Sequence, residues 1–359
     1  MKAAAAALIL IAVTSCSGPS PAGPSRQPGG ELVVTFERGH HRVYEVTDGS
    51  LVADLGRGVL VSRLNEGGDI AEAYLVGPEP EGIRRVQPGR PFVITKVAPG
   101  PAPGSELGSY WAALVPAPGL TSFVGQRNVL IVLLPDATMI GYQAGTEIWR
   151  RSAAPYFQLG AVGEAAVLFN RQNQTAIVAP ENGVITLLSS DPNCSLVGLV
   201  RSERVTYCRG PAGDRLLVGN RVLQLPAGSG QESSLSTLFP VARDELFLYF
   251  GSGDLCHLAE QLSCRRALPH LGPVALSPEG QLIFAVDGTA ILEQQVAGGS
   301  EARRLKSDVV YTGLGTSRDG TFVYALGGGN LDIWSLRGSG RRVRRYPAAG
   351  NTVEIIAGG

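Results

Sequence analysis

The chain has 359 residues, of which 47 are glycine and 24 are proline, and 44% are hydrophobic. Acidic and basic residues are equal in number, 31 of each, so the formal net charge is zero. No overall field therefore draws the protein to nucleic acid or to an anionic surface, and nucleic acid is not an expected partner. The apolar content argues against disorder, and the many turn residues indicate a folded, turn-rich body.

A short apolar run precedes Cys16. Lys2 supplies a positive charge, Ala3 to Val13 is apolar, and the run ends at Val13-Thr14-Ser15-Cys16. A membrane-spanning helix needs about 20 residues, so we interpret residues 1–15 as a cleaved secretory signal. The last four residues resemble the lipobox of bacterial lipoproteins. This resemblance implies lipidation of Cys16 and an exported body that faces the periplasm or the cell exterior. The alternative is cleavage elsewhere and an incidental cysteine.

Residues 16–30 are expected to be a tether. Ser17 to Gly30 consist only of Ser, Gly, Pro, Ala, Arg and Gln, so nothing in the segment can build a core. Such a composition predicts a flexible spacer between the lipid and a folded domain at residues 31–359.

From Glu31 onward the sequence consists of short apolar strands separated by turn residues. This pattern is typical of an all-β sandwich, barrel or propeller. One unit recurs at a spacing of 40 residues: Ser277-Pro278-Glu279-Gly280 precedes an apolar strand, and Ser317-Arg318-Asp319-Gly320 precedes another. The repeat decides among the three architectures.

The two repeated units resemble the blades of WD40-like and YVTN-type β-propellers. Val129 to Trp149 resembles the quinoprotein-type repeat, with Asp136-Ala137 in place of the expected Asp-Gly turn. These resemblances imply an all-β propeller whose blades recur about every 35–40 residues. We expect seven four-stranded blades over residues 31–359, with eight as the alternative.

The ends of the domain are expected to meet. Leu32 to Phe36 and Val353 to Ile356 are candidates to pair in one blade, which would close the ring and remove exposed strand edges. Residues 58–120 fit the repeat least well. Gly77 to Gly89 and Val97 to Gly108 are dominated by Pro and Gly, so we expect long loops that protrude from one propeller face.

Four cysteines remain after Cys16, in two local groups. Proximity favours the bridges Cys194–Cys208 and Cys256–Cys264 among the three possible connectivities, and an exported protein can form them. A zinc site with His257 beside Cys256 is the alternative, although the spacings lack the usual C-x₂₋₄-C pattern.

No motif predicts catalysis, a metal site or a cofactor. The adjacent His40 and His41 lie between strands, where neighbouring side chains point to opposite sides, so joint metal binding is not expected. Quinoprotein dehydrogenases carry Trp-rich repeats, whereas this chain has three tryptophans. We therefore expect Trp149 and Trp334 to pack between blades.

Aromatic residues beside Pro and Gly are the candidates for a binding surface. Tyr110-Trp111 and Tyr156-Phe157 would suit recognition if exposed; burial beneath a loop is the alternative. Arg337 to Arg345 has five arginines in nine residues. This segment is expected to be a solvated edge hairpin, with contact to anionic lipid headgroups as the alternative.

The sequence thus favours an exported, monomeric lipoprotein, anchored through Cys16, whose propeller binds an envelope protein or an extracellular ligand without chemistry of its own. The alternative is a propeller hydrolase or lyase that acts on a glycan or lactone at the central channel. That alternative predicts acidic residues that converge on one end of the channel, and the candidates are Asp54, Asp69, Asp136, Asp254, Asp287 and Asp319.

Overall fold

The structure is a computed structural model. It describes residues 31–37, 40–64, 70–87, 93–122, 125–162, 164–170, 174–189, 193–200, 203–210, 213–225, 235–242, 245–250, 253–266, 268, 273–278, 280–297, 302–317, 319–338, 340–348 and 352–357. Cys16, the signal and the tether lie outside the described residues, as does Asp69. Within the described ranges, no helix has the length and apolar character needed to cross a membrane.

The regular elements of the described residues are 32 β-strands. They are β1 (Glu31–Glu37), β2 (His40–Glu45), β3 (Leu51–Arg57), β4 (Val59–Leu64), β5 (Ile70–Val76), β6 (Ile83–Gln87), β7 (Val93–Ala98), β8 (Trp111–Ser122), β9 (Gly125–Leu133), β10 (Thr138–Gln143), β11 (Thr146–Ser152), β12 (Gln158–Val162), β13 (Ala165–Phe169), β14 (Thr175–Val178), β15 (Ile185–Ser189), β16 (Cys194–Val200), β17 (Glu203–Cys208), β18 (Arg215–Val218), β19 (Arg221–Gln224), β20 (Leu235–Ala242), β21 (Glu245–Phe250), β22 (Asp254–Leu258), β23 (Leu262–Arg266), β24 (Val274–Leu276), β25 (Leu282–Asp287), β26 (Ala290–Gln295), β27 (Arg303–Lys306), β28 (Gly313–Thr316), β29 (Phe322–Gly327), β30 (Asn330–Ser335), β31 (Arg341–Pro347) and β32 (Thr352–Ala357).

These strands form eight antiparallel sheets of four strands each. Blades 1 to 7 each take four consecutive strands, from β4–β7 to β28–β31, and blade 8 combines β32 with β1–β3. The first strands of several neighbouring blades, such as β4, β8 and β12, lie against one another and so form the inner wall of the ring. The predicted propeller is confirmed, with the eight-blade alternative as the observed number.

The two ends of the domain pair in blade 8. Antiparallel β1 and β32 place Leu32 opposite Ile356 and Thr35 opposite Val353. This pairing confirms the predicted closure of the ring. It also places residue 31 beside residue 357, so both ends of the described domain lie at the same end of blade 8.

The segment 58–120, which fits the repeat least well, contains a complete blade. Blade 1 consists of four strands of five to seven residues each, and β6 lies inside the Pro- and Gly-rich segment 77–89. Pro78 and Pro80 fall in the connection 77–82, and Pro99, Pro101 and Pro103 fall in the connection 99–110, so these prolines interrupt no ladder of blade 1. Pro116, by contrast, lies inside β8 of blade 2, opposite Asn128. Strands this short leave little periodicity to read between the connections. The ring has eight blades, so the expected number of seven is wrong and the alternative of eight is correct.

The repeated turn has the same hydrogen bonds in blades 6 and 7. In blade 6, Gly280 N donates to Ser277 O at 2.8 Å, and Ser277 Oγ accepts a bond from Leu282 N. In blade 7, Gly320 N donates to Ser317 O at 3.0 Å, and Ser317 Oγ accepts from the residue that opens β29. Each serine therefore fixes the hairpin that joins the first two strands of its blade.

The core consists of apolar layers between neighbouring blades. Trp149 of blade 2 packs with Leu159 and Val178 of blade 3, and its indole Nε1 donates to Pro180 O at 2.7 Å. Trp334 of blade 7 packs with Phe284 of blade 6. Both tryptophans lie between blades, as expected. Fully burying one large side chain of this kind stabilises the fold by about 1.5–3 kcal/mol.

Candidate functional site

The two faces of the ring follow from strand direction. Antiparallel strands alternate, so the connection from each blade to the next and the turn between its second and third strands lie at one end, which we call the upper face. The connections 77–82, 99–110, 134–137 and 153–157 belong to it. The turns between first and second strands lie at the opposite end, the lower face.

Hydrogen bonds hold the longest described connection of the upper face in place. Glu79 N donates to Pro101 O at 2.9 Å, and the Glu79 carboxylate accepts from Gly100 N at 2.9 Å and from Lys96 Nζ at 2.6 Å. The bond from Lys96, with that from Gly100, lowers the pKa of Glu79. Further along, Ser109 donates both N–H and O–H to Glu106 O. The two neighbouring connections 77–82 and 99–110 are thus joined.

The four predicted aromatic residues lie at the upper face, where β8 and β12 begin. Tyr110 is 1% exposed and Tyr156 is 8% exposed, whereas Trp111 is half-buried and Phe157 is 42% exposed. β8 and β12 lie against each other, so the topology brings the two pairs to adjacent strands. Only Phe157 offers a large exposed aromatic surface; Tyr110 and Tyr156 pack in the layers between blades.

Exposed apolar and acidic side chains share this part of the upper face. Leu107 is 40% exposed on the connection that precedes β8. Glu81 and Glu106 are exposed on the two joined connections, and neither forms an ion pair with any described residue. The upper face over blades 1 to 3 therefore combines two large apolar side chains with exposed carboxylates, of which Glu81 interacts electrostatically with Arg84.

Two polar atoms under the same surface have no hydrogen-bond partner within the described ranges: the hydroxyl of Tyr110 and the indole nitrogen of Trp111. Burial raises the pKa of Tyr110 to about 12. The hydroxyl therefore remains protonated at neutral pH and retains its proton as a donor.

A group of polar residues at the lower face was not predicted from the sequence. Arg63 of blade 1 donates from Nη2 to Glu164 Oε1 of blade 3 at 3.1 Å. Glu72, opposite Arg63 in the ladder, accepts from Asn128 Nδ2 at 2.8 Å and from the Tyr74 hydroxyl at 2.5 Å. These residues are far apart in the chain, and only the curvature of the ring brings them together. Their mutual hydrogen bonds indicate that they join blades 1, 2 and 3.

The acidic candidates for channel chemistry do not converge in the part of the chain that the structure describes. Asp136 and Asp319 accept hydrogen bonds from the backbone of their own turns. Asp287 pairs with an arginine of its own blade, and Asp54 lies on β3, the fourth strand of blade 8. These carboxylates stabilise separate hairpins. Among described residues, no group of three or more His, Cys, Asp or Glu could hold a metal ion.

The histidines have separate structural environments. His41 is 7% exposed, and its Nε2 donates to Gly58 O at 3.1 Å, across the connection from blade 8 to blade 1. Burial lowers the pKa of His41 to about 4, partly opposed by the bond to Gly58, with a further small decrease from His40. His257 stacks on Phe247 with ring centroids 4.2 Å apart.

Both predicted disulfides are present, and the zinc alternative is therefore wrong. Cys194 and Cys208 face each other across β16 and β17 of blade 4. Cys256 and Cys264 face each other across β22 and β23 of blade 5. In both cases the bridge joins directly opposed residues of neighbouring strands.

The arginine-rich segment belongs to an ion-pair network in blade 7. Asp332, which is fully buried, accepts from Arg345 Nε at 2.7 Å and from the Tyr311 hydroxyl at 2.5 Å. Asp308 accepts from Arg342 and Arg345, each at 2.6 Å. Burial opposes ionisation of Asp332, but the bonds from Arg345 and Tyr311 outweigh it and lower its pKa. Two of the five arginines therefore hold blade 7 together.

No family model matches the sequence, and no curated protein matches it significantly. Solved structures do. Apo AztD from Citrobacter koseri has a TM-score of 0.56 at 12% identity, covering 92% of this chain and 98% of that chain. The C-terminal WD40 domain of Sif2 has a TM-score of 0.53 at 9% identity, covering 91% and 96%. BamB from Moraxella catarrhalis has a TM-score of 0.45 at 14% identity, covering 79% and 92%.

This chain shares the fold of AztD and of the Sif2 WD40 domain. At such low identities the likeness extends to the propeller alone and carries nothing about what the neighbours bind. The geometry of the chain's own surface is therefore the basis for a functional assignment.

Proposed function

We propose that this protein is an exported, monomeric lipoprotein that is anchored to a bacterial membrane through Cys16. Its propeller serves as a non-catalytic scaffold that binds another envelope protein at the upper face. The observation that carries the proposal is the combination of exposed Leu107 and Phe157 with the exposed carboxylates of Glu81 and Glu106.

Disulfide chemistry supports export. Bonds such as Cys194–Cys208 and Cys256–Cys264 persist in oxidising compartments and are rare in the reducing cytosol of mesophiles. The signal and lipobox pattern before Cys16 points to the same compartment.

The position of the tether supports the choice of face. β32 begins at the upper face and ends at the lower one, and residue 31 lies opposite residue 357. A tether that joins the domain at residue 31 therefore enters from the lower face. The upper face is then directed away from the attachment point and toward a partner.

The upper face has the properties of a pre-organised interface. Its connections are held by the bonds of Glu79 and Ser109, so little conformational freedom remains to be lost on binding. Exposed apolar side chains on the same face as acidic groups suit a partner segment that carries both basic and large apolar residues.

A crosslinked pull-down from native membranes tests the binding role. The double variant Leu107→Ser/Phe157→Ser removes the apolar surface, and Leu187→Ser/Val222→Ser is the matched control because both residues are exposed on outer strands. We expect a stoichiometric envelope protein to be lost from the first variant and retained by the control. Equal recovery from both variants, or no co-purifying protein, contradicts the proposal.

Cell fractionation tests the anchor separately. Cys16→Ser should move the protein from the membrane to the soluble exported fraction, because the acyl chains would be absent. Continued membrane residence of this variant contradicts the lipid anchor and leaves the binding surface unaffected.

A further inference from the structure

The register of β31 divides the arginine-rich segment between two sides of blade 7. Arg342 lies opposite Trp334, and Arg345 lies opposite Asp332. Trp334 packs against blade 6, and Asp332, two residues away on β30, lies on the same side of the sheet. Both arginines therefore point to the blade 6 side. There Asp308 and Asp332 each pair with both of them, so the charge on this side of the strand is balanced.

Arg341 and Arg344 lie on the other side of β31. Val343 is an extra residue in the ladder, so Arg344 lies opposite Ile333 and Arg341 lies opposite the residue two positions further along β30. Ile333 packs with Tyr44 of blade 8, and these two arginines therefore point to the blade 8 side. Both are exposed, and neither forms an ion pair with any residue that the structure describes.

The neighbouring groups on the blade 8 side leave this charge open to solvent. Arg344 Nη1 donates to the Tyr346 hydroxyl at 3.1 Å, and that hydroxyl donates to Thr47 O at 2.8 Å. Asp48 interacts electrostatically with Tyr346 but forms no ion pair with either arginine. Several arginines on other outer strands, by contrast, pair with a glutamate or an aspartate: Arg150, Arg221, Arg303 and Arg304.

Blade 8 is also where the tether joins the domain. Residue 31 opens β1 of this blade, and in the proposed function, on which this inference rests, residues 16–30 connect it to lipidated Cys16. A flexible chain of about 15 residues has a root-mean-square end-to-end distance of about 20 Å. The outer edge of blade 7, next to blade 8, therefore stays close to the membrane. At the effective concentration that such a tether provides, weak contacts become occupied.

We propose that the outer edge of blade 7 binds the anionic phospholipid headgroups of the membrane that holds the anchor, through Arg341 and Arg344. A guanidinium group binds phosphate with two parallel hydrogen bonds, and each arginine near an anionic surface strengthens the contact about fivefold. The contact holds the ring by its rim, so the upper face stays open to the protein partner. Charge on an edge strand also discourages pairing with other chains, but that role does not require both unpaired arginines to lie on the side of the tethered blade.

Energy transfer from a dye on the mature, lipidated chain to acceptors on the lipid headgroups tests the inference. The dye is attached at Val343→Cys, on β31, or at Val222→Cys, on the outer strand of blade 4 across the ring from blade 8. On vesicles of phosphatidylglycerol and phosphatidylcholine, we expect more transfer from position 343 than from position 222. The excess should disappear on pure phosphatidylcholine vesicles and at about 1 M salt, where screening limits charge interactions to about 3 Å.

Arg341→Gln/Arg344→Gln should lower the ratio of rim-bound to other orientations about 25-fold. Arg204→Gln/Arg215→Gln is the matched control, because it removes two exposed arginines from blade 4, and it should retain the excess transfer. Equal transfer from the two dye positions on anionic vesicles, or equal loss in both double variants, overturns the inference.

Two further outcomes separate this inference from its alternatives. Binding of soluble polyglutamate that is lost in Arg341→Gln/Arg344→Gln, without orientation on anionic vesicles, would identify an acidic protein as the occupant and overturn the inference. A chain that does not enter vesicles at all contradicts the lipid anchor of the proposed function. A chain that enters them without a preferred orientation contradicts only the contact of blade 7 with the headgroups.

Discussion

Disulfide bonds join strands within blades 4 and 5, whereas ion pairs join strands within blade 7. Cys194–Cys208 joins the first two strands of blade 4, and Cys256–Cys264 joins the last two strands of blade 5. In blade 7 the buried Asp332 connects β30 to β31 and to the preceding connection through arginines and Tyr311.

Disulfides and buried ion pairs act on different states of the chain. In the chain-entropy model, a disulfide stabilises the fold mainly by restricting the unfolded chain, more so for a longer loop. A buried ion pair acts in the folded state, and removal of one partner leaves the others buried without compensation. Blade 7 should therefore be the most sensitive to a single substitution, and blades 4 and 5 to a reductant.

Asp332→Ala should have the largest effect and lower the free energy of unfolding by about 3–4 kcal/mol. The substitution leaves the hydroxyl of Tyr311 without its acceptor and leaves Arg345 paired only with the exposed Asp308. Urea unfolding followed by circular dichroism measures the change.

Asp287→Ala is the matched control for this substitution. Asp287 pairs with Arg304 in blade 6, where both side chains are almost half exposed, and such surface pairs contribute about 0–1 kcal/mol. Equal losses from Asp287→Ala and Asp332→Ala would show that burial of the carboxylate is not what stabilises blade 7.

The double variant Cys194→Ala/Cys208→Ala should have the next largest effect. The two residues are separated by 14 positions, and a loop of that length corresponds to about 3 kcal/mol. The bridge Cys256–Cys264 closes a shorter loop, with a separation of 8. The variant Cys256→Ala/Cys264→Ala should therefore lower the free energy of unfolding by about 2.5 kcal/mol. Urea unfolding with and without a reductant measures both; a reductant effect that persists in the variant lacking all four cysteines contradicts the assignment.

The difference between these blades also explains what the sequence can predict. Cysteine spacing is local, and so is the Ser-x-x-Gly turn at Ser277 and Ser317, so both disulfides and the two repeated blades were predictable. The ends also pair as predicted, because Leu32 to Phe36 and Val353 to Ile356 are terminal strands whose pairing completes a four-stranded blade. Blade 1 was missed because proline-rich connections outweigh its short strands in composition.

The candidate sites depend on contacts that no local pattern encodes. Tyr110, Tyr156 and Phe157 are all aromatic residues near Pro and Gly in the sequence, yet the packing between blades buries only the two tyrosines. Arg63 and Glu164 meet although 101 positions separate them. Ile83 of blade 1 and Tyr142 of blade 2 line one pocket only because the two blades lie side by side, so no pattern within either blade indicates it.

Mild acid should destabilise the connection from blade 8 to blade 1, where His41 lies, but not the ion pairs of blade 7. Its carboxylate Asp332 has a lowered pKa and therefore stays ionised through mild acid. His41 has a pKa of about 4 when folded and 6.5 as the reference value. The unfolded chain therefore binds the proton more readily, and the stability contributed by neutral His41 is present above pH 6.5 and lost as pH falls toward 4. We expect a loss of about 2 kcal/mol between pH 7 and pH 5.

Urea unfolding at the two pH values checks this expectation. His41→Gln should flatten the pH dependence, because no imidazole remains to be protonated at the blade 8 to blade 1 connection. His40→Gln is the control and should retain most of the dependence, since His41 is still present. The same loss in both variants would assign the acid sensitivity to other groups.

The smallest expected effect is in blade 2, which has neither a disulfide nor a buried ion-pair network among its described residues. Ala137 has a φ of 61° in the turn between β9 and β10, a left-handed conformation that costs a non-glycine residue about 1–2 kcal/mol. Because glycine also gains freedom in the unfolded chain, Ala137→Gly should raise the free energy of unfolding by only about 0.5–1 kcal/mol.

Ala102→Gly is the control, since Ala102 is an exposed residue of the connection 99–110 without a positive φ, and it should be destabilising by up to about 1 kcal/mol. If thermal unfolding shows that Ala137→Gly stabilises the protein and Ala102→Gly destabilises it, the strain in the turn at Ala137 limits the stability of blade 2. If both variants are destabilised, the hydrogen bond from Thr138 N to Asp136 Oδ1 already compensates the strain in this turn.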